Sequence, residues 1–599
     1  MSYSSKFDTN QMYKQTKWNL AELATGHNGP KFARQISDLQ NKVKRFEKVK
    51  SSLRPDISSK DFLKIIKSIE EISEDASRVG GYASLLYAAD TQSDEATSLL
   101  TRMTKLGSEI DNKTLFFDLW WKRKIDDRNA ARLMQSADNL REYLRHKRVL
   151  AKYSLTEPEE KIINTLDVTG STALVKLYDK ITNAFEYTII INGKTKKFTR
   201  EELTVLVRSP NAKTRQQAYK TLLTKYDNNK GVLGEIYQNL ILNWKDEGIE
   251  IRKYSSPISI RNIANDIDDK TTQTLLDVCK KNSDAFHKFF AYKAKMLGLK
   301  KLRRYDLYAP GSKKNKEKSY SYQNAVKLVL DSLSKFSPKL SDYASKVFAQ
   351  NHIDAQIRPG KRDGAFCSTI TPKITPYVLV NYAGKSKDVF TLAHELGHAI
   401  HSQAASKQSI LVSEASLPLA ETASTFSELL LYDNISDQMN NDEKSSILFE
   451  KIDDLYATIM RQAFFTIFEI DAHKQIADGT TVEQISKTYL TNLKTQFARS
   501  VELSEDFAIE WSCIPHFFHT PFYCYAYSFG NLLSLSLFQQ YKREGRSFEK
   551  TYIEILAAGG SKKPEELLKE YGIDISSAKF WQYGFDYIKT QVKEIISLN

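Results

Sequence analysis

Cysteine is scarce in this chain. Only Cys279, Cys367, Cys513 and Cys524 occur in 599 residues, and no two form a CxxC pair. That excludes a disulfide framework, and it fits an intracellular protein with reduced thiols. Proline and glycine are also sparse, at 14 and 23 residues. So little punctuation excludes a fold of many short strands and favours long helices. No apolar run approaches the roughly 18 residues that a membrane span needs. The opening MSYSSKFDTNQMYKQ has no apolar segment behind a basic start, so no secretory signal is expected and the location predicted is cytoplasmic.

What is present is ordinary for a globular protein: 41% hydrophobic and 27% charged residues. The length calls for more than one packed lobe. The net charge of +14 at pH 7 is positive enough to raise the question of a nucleic-acid partner. The lysines are spread along the chain, and the densest run, Lys313 to Lys318, falls in an expected loop. Charge alone therefore points to a solvated surface and not to a specific nucleic-acid site.

Apolar residues recur at helical spacing through the first 180 or so positions. Phe32, Ile36, Leu39, Val43 and Phe46 form one stripe. The next helical run, from Asp61, contains Gly80-Gly81, where a break is expected. Asn192-Gly193, between β-branched residues and an alternating Lys-Thr stretch, predicts a hairpin over 185–199. This hairpin is the expected boundary between an N-terminal helical lobe, 1–198, and a second domain, 199–599. A second small sheet is expected over Gly364–Gly384. Ser386 is the expected N-cap of the helix that follows, with Asp388 in its first turn.

That helix carries His394, Glu395, His398 and His401, among Leu392, Leu396, Ala399 and Ile400. His394 and His398 are four apart and so share one helical face. Glu395 lies one step round. This is the H-E-x-x-H arrangement, in which two imidazoles grip a metal ion and a carboxylate takes a proton from the water it activates. Burying such groups without a purpose is costly. A catalytic zinc needs a third ligand and an open position. The metzincin spacing requires Gly and His where His401 and Ala404 stand, and the thermolysin spacing requires Glu where Pro418 stands, so neither pattern applies. Pro418 suits the start of a new helix carrying Glu421, Ser424 and Glu428 on one face. Spacing leaves Glu414, Glu421 and Glu428 all open as the third ligand.

A second cluster lies at Ile514–Gly530, with His516, His519, Tyr523, Tyr525 and Tyr527. Peptide hydrolysis by an activated water creates an oxyanion, which needs donors besides the metal, and imidazole and phenol groups can serve. In a helix, Tyr523 and Tyr527 would share a face and Tyr525 would point elsewhere.

The motif His394–His401, with Glu421-Thr422-Ala423-Ser424 and Glu428 behind it, resembles the thimet oligopeptidase and oligoendopeptidase F family of zinc peptidases. Gly364–Ser402 and His519–Leu533 resemble its oligoendopeptidase F branch most, and Asn211–Tyr219 is also similar. The resemblance implies that Glu421 is the third metal ligand, that Glu428 orients a ligand, and that Glu414 is structural. It implies catalytic or substrate-binding roles for His516, His519, Tyr523 and Tyr527. It further implies a mainly α, elongated, two-lobed body with a deep central channel, a small β-sheet beside one Zn2+ per chain, and short unstructured peptides as partners. The sheet edge would suit pairing with a substrate backbone. The expected activity is hydrolysis of internal peptide bonds by a zinc-bound water, with Glu395 as general base. The expected assembly is a monomer or small homo-oligomer, with no specific nucleic acid and no membrane. Two rivals remain: a metal-dependent carboxypeptidase of similar helical fold, and a basic nucleic-acid-binding protein with an inactive zinc site.

Overall fold

The structure is a computed structural model that describes residues 12–191, 193–311 and 318–598. Asn192 of the expected turn and Lys313–Glu317 of the basic run lie outside the described residues. The fold is mainly helical with only short strands, as the sparse proline and glycine imply. No helix among the described residues is long and apolar enough to cross a membrane.

Packing groups the chain into two compact units, each assembled from three segments. The first comprises Met1–Lys152, Glu317–Gln438 and Leu537–Ile573, and the second Tyr153–Lys316, Met439–Ser536 and Asp574–Asn599. These packing units do not coincide with a division at residues 198 and 199.

The first unit begins with three long helices, Pro30–Glu47, Ser59–Ala89 and Asp94–Arg123. The stripe in the first buries Phe32, Leu39, Val43 and Phe46 fully, while Ile36 is half-buried against the same core. Ser58 and Ser93 cap the other two by accepting the backbone N–H groups of Asp61 and Ala96 at 3.1 and 3.2 Å, a local substitute for missing intrahelical partners. The helix Ser59–Ala89 runs unbroken through Gly80-Gly81, contrary to the expected break. The reason is tertiary. A Cβ at Gly81 would sit 2.5 Å from Ile370 Cδ1, so the glycine serves close packing against the segment leading to the site and not a turn.

That segment forms a three-stranded sheet in the order Ile353–Asp354, Tyr377–Leu379, Phe366–Ser368. The first two strands are parallel and the last pair antiparallel, with Cys367 opposite Val378. The strand Ile353–Asp354 was not signalled by pattern, since two residues are too few to show alternation. Ile370, Ile374, Tyr377, Leu379 and Val412 join the N-terminal helices in one continuous core.

In the second unit the expected hairpin is present. Tyr187–Ile191 pairs antiparallel with Lys194–Phe198, and Tyr187 stands opposite Phe198. Long helices surround buried ion pairs, Arg215–Asp306 at 2.7 Å, Lys293–Asp453 at 2.6 Å and Arg304–Glu510 at 2.5 Å. Charges out of water need such partners, because an unpaired one is strongly destabilising. All four cysteines are free thiols.

Candidate metal centre

The helix Ser386–Ala404 carries the H-E-x-x-H motif. Its N-cap is Lys385, and Ser386 is the first helical residue, one position later than expected of a cap. Capping is done instead by Asp388, whose Oδ2 accepts from the backbone N–H groups of Ala383 and Lys385 at 2.8 and 3.0 Å. A negative group at this end is also favoured by the helix dipole. Leu392, Leu396, Ala399 and Ile400 are fully buried, which fixes the helix's rotation and leaves His394 and His398 facing a cavity.

The neighbouring helix does not start at Pro418 and run on. Leu417–Ala420 is one short turn, Glu421 is a junction residue with φ −85° and ψ 3°, and Thr422–Ser436 is the long helix. Glu421, Ser424 and Glu428 therefore do not lie on one continuous helix, although all three meet at the site. The kink is held from outside: Tyr552 Oη donates to the Thr422 carbonyl at 3.1 Å, and its ring stacks on Phe426 at 4.1 Å.

Gly397 decides how near the two helices come. A Cβ at 397 would lie 2.5 Å from both the Ala423 carbonyl oxygen and Ser424 Cα, backbone atoms that cannot step aside. Only glycine permits this approach. It brings Glu421 Oε2 to 3.3 Å from His394 Nε2 and 3.6 Å from His398 Nε2. One ligand atom from each of the three residues lies within 4.8 Å of the others. A tetrahedral zinc with bonds near 2.0–2.2 Å separates its ligand atoms by about 3.3 Å, so the donor set and its spacing fit such a cation.

The surroundings orient the donors. His394 Nδ1 donates to Glu428 Oε1 at 2.6 Å, which turns Nε2 towards the centre. Ser424 Oγ donates to Glu421 Oε2 at 2.7 Å. The backbone N–H of Cys367, on an edge strand of the sheet, is close enough to Glu395 to favour its ionised form. Replacing Glu428 by alanine is expected to weaken metal binding by about 10–100-fold, the usual worth of an outer hydrogen-bond partner. Competition with a metal-binding dye reads this directly, and unchanged affinity would remove Glu428 from that part.

Electrostatics follow from burial. Loss of water pushes the Glu395 carboxyl up to about 7, with Glu421 and Glu428 adding to the rise and His394 opposing it. A cation beside it favours the ionised form and lowers that value. Burial disfavours a charged His394, yet Glu421 and Glu428, one on each ring nitrogen, raise its pKa well above the usual range. Burial lowers His398 despite Glu421. Burial alone would raise Glu421, but the two imidazoles and Ser424 hold it at about 2. His401, the third histidine of the motif, is buried and pushed down to about 4, so it stays neutral. It lines the same cavity of 430 Å³, as do Thr369, Ser402 and Glu414. Glu414 is exposed and is not among the three clustered donors.

The second cluster lies in the other packing unit. His516 is on the short helix Pro515–His519, and the long helix begins only at Tyr525. Tyr523 thus stands before the helix, in a turn. The rings of His516 and Tyr523 lie parallel at 5.7 Å, and Tyr527 meets both edge-on at 5.9 and 5.3 Å. Tyr525 points away, its hydroxyl taking a hydrogen bond of 2.8 Å from Asn265. His519 is separate from this trio: its Nε2 faces Asp179 Oδ1 at 2.7 Å. Arg461 and Glu469 were not anticipated. Arg461 lies over the Phe465 ring, its charge helping burial and His519 to hold His516 below its ordinary pKa. The Glu469–His473 pair at i, i+4 was the signal that could have drawn notice.

The chain is similar to known proteins over most of its length. The family model for peptidase family M3 matches residues 205–587, and that for oligopeptidase F matches residues 123–187. An oligoendopeptidase F homolog of Borreliella burgdorferi is 27% identical over 98% of each chain. The oligopeptidase PepF of Bacillus subtilis is 25% identical over 87% of this chain and 82% of its own. A crystal structure from Chlamydophila abortus superposes with a TM-score of 0.86 at 25% identity, covering 97% of this chain and 98% of the other. With more than half its length inside the M3 match and the histidine–glutamate cluster within that stretch, the chain belongs to peptidase family M3 and is a metalloendopeptidase of the oligoendopeptidase F kind.

Proposed function

We propose that this protein is a zinc-dependent oligoendopeptidase that cuts internal bonds of short unstructured peptides. The reading is carried by one observation, the convergence of His394 Nε2, His398 Nε2 and Glu421 Oε2 beside the buried Glu395. His394, His398 and Glu421 would hold the cation. When bound, it supplies Lewis acidity, polarising the scissile carbonyl and bringing the pKa of a coordinated water to about 7.

Glu395 accepts the proton as a water attacks the carbonyl carbon. The C–N bond then breaks, and Glu395 returns the proton to the leaving nitrogen. Burial raises the proton affinity of this carboxylate, which suits it to take up a proton and release it again. The strand Phe366–Ser368 has a free edge in its sheet and is suited to align an extended peptide by backbone hydrogen bonds. His516, Tyr523 and Tyr527 are proposed as donors to the oxyanion. Their mutual contacts support a shared role. His519, engaged by Asp179, is proposed only for substrate binding. A catalytic segment starting after the hairpin, at residue 199, accords with the M3 match from 205. We place the protein in the cytoplasm, as a monomer or small homo-oligomer acting on peptides and not on nucleic acid.

The test is digestion of short peptides capped at both ends, with and without chelator, beside a folded protein. Capped peptides are expected to be cut internally, the folded protein to survive, and chelator to abolish cutting until Zn2+ is returned. Capped peptides left intact while the same peptides uncapped lose C-terminal residues would make the protein a carboxypeptidase, and activity indifferent to chelator would end the metal reading.

A further inference from the structure

The helix Arg461–Ala477 in the second packing unit buries two ionisable residues on one face, four positions apart: Glu469 at 1% exposure and His473 at 3%. A core face does not need either, and leaving polar groups unpaired there is unfavourable. Glu469 Oε2 and both ring nitrogens of His473 make no hydrogen bond among the described residues. Glu469 Oε1 has one, from the backbone N–H of Phe522 at 2.8 Å.

Phe522 is itself unusual. Its φ is +56°, left-handed, which a residue with a bulky side chain rarely adopts unless its surroundings impose it. Its ring is buried and lies 4.5 Å from the His473 ring. The turn around it is pinned on both sides. Arg261 Nε donates to the Pro521 carbonyl at 3.2 Å, and the Tyr523 N–H donates to the Thr520 carbonyl at 3.2 Å. The next residue is Tyr523, whose ring lies parallel to that of His516.

We propose that Glu469 is a positioning residue: its buried carboxyl holds Phe522 in the left-handed conformation and so fixes where Tyr523 stands against His516 and Tyr527. His473 supports it by packing on the Phe522 ring. What the clamp needs is an acceptor oxygen at that point, not a charge. Burial pushes the Glu469 carboxyl up to about 8, which agrees with a neutral group at pH 7. Glutamine offers the same oxygen in the same shape, and leucine offers none.

This inference rests on the proposal that His516, Tyr523 and Tyr527 serve the reaction, and the two can fail separately. The experiment uses full-length protein, a capped peptide substrate, kcat and KM measured separately, and bound metal per chain. Glu469→Leu is expected to lower kcat by about tenfold or more, since small misplacement of reacting groups costs up to about a hundredfold. KM and metal content stay near the parent's. Glu469→Gln is expected to restore kcat to within about threefold, the acceptor being retained. If Glu469→Leu does not fold, Glu469→Asp withdraws the acceptor by one methylene and should lower kcat in its place. Parent-like kcat in the leucine or aspartate variant overturns the clamp, as does a glutamine variant that falls as far as leucine. Tyr527→Phe and His516→Ala run alongside. If neither changes kcat, the catalytic reading of the segment fails, and the clamp's part in catalysis fails with it.

Discussion

Replacing Glu395 by glutamine is expected to lower kcat on a capped peptide by about 10²–10⁴-fold, the range that proton transfer by a positioned side chain contributes, while bound metal stays at the parent's level. The two expectations come from different atoms. The proposed metal donors are His394, His398 and Glu421, and Glu395 is not in that cluster. Glutamine keeps the length of the side chain and an oxygen beside the Cys367 N–H. What it lacks is a site for a proton taken from water. The variant should therefore bind substrate with a KM near the parent's and stall before the C–N bond breaks. Turnover near that of the parent would remove Glu395 from the mechanism.

Replacing Glu421 by alanine is expected to act earlier, by losing the cation. Its Oε2 lies within 3.6 Å of both imidazoles, and Ser424 holds it there. Without it, two neutral nitrogen donors remain on one helix face and the site loses the negative charge that balances a divalent ion. Affinity should fall by more than about a hundredfold, beyond the effect of an outer-sphere partner such as Glu428. Metal analysis after equilibration against buffered free Zn2+ measures it, and activity should fall in parallel. If metal content is unchanged, Glu414 or Glu428 must supply the oxygen. The two variants thus separate the chemistry from the holding of the metal: one keeps the ion and loses turnover, the other loses both.

Much of the helical content was legible because helical pattern is local. The stripe from Phe32 to Phe46 needs only the 3.6-residue period to be recognised, and the hairpin after Tyr187 needs only a turn signal between alternating strands. Errors came where distant chain intervened. Gly80-Gly81 reads as a break until Ile370 is seen against Gly81. Ser386 reads as a cap until Asp388 is seen reaching back over Lys385. The packing units gather three separated segments each, which no local pattern records.

The same distinction runs through the site. The sequence by itself determined the pair His394 and His398 and the neighbouring Glu395, because four residues make one helical turn and the grouping is complete within a single helix. It left three glutamates open as partners, and resemblance alone pointed to Glu421. Only the tertiary structure decided that Glu421 reaches the two imidazoles, because this depends on how closely two helices approach. That distance is set by a missing side chain, the absent Cβ of Gly397 against the backbone of Ala423 and Ser424, and by the kink that Tyr552 holds from a third helix.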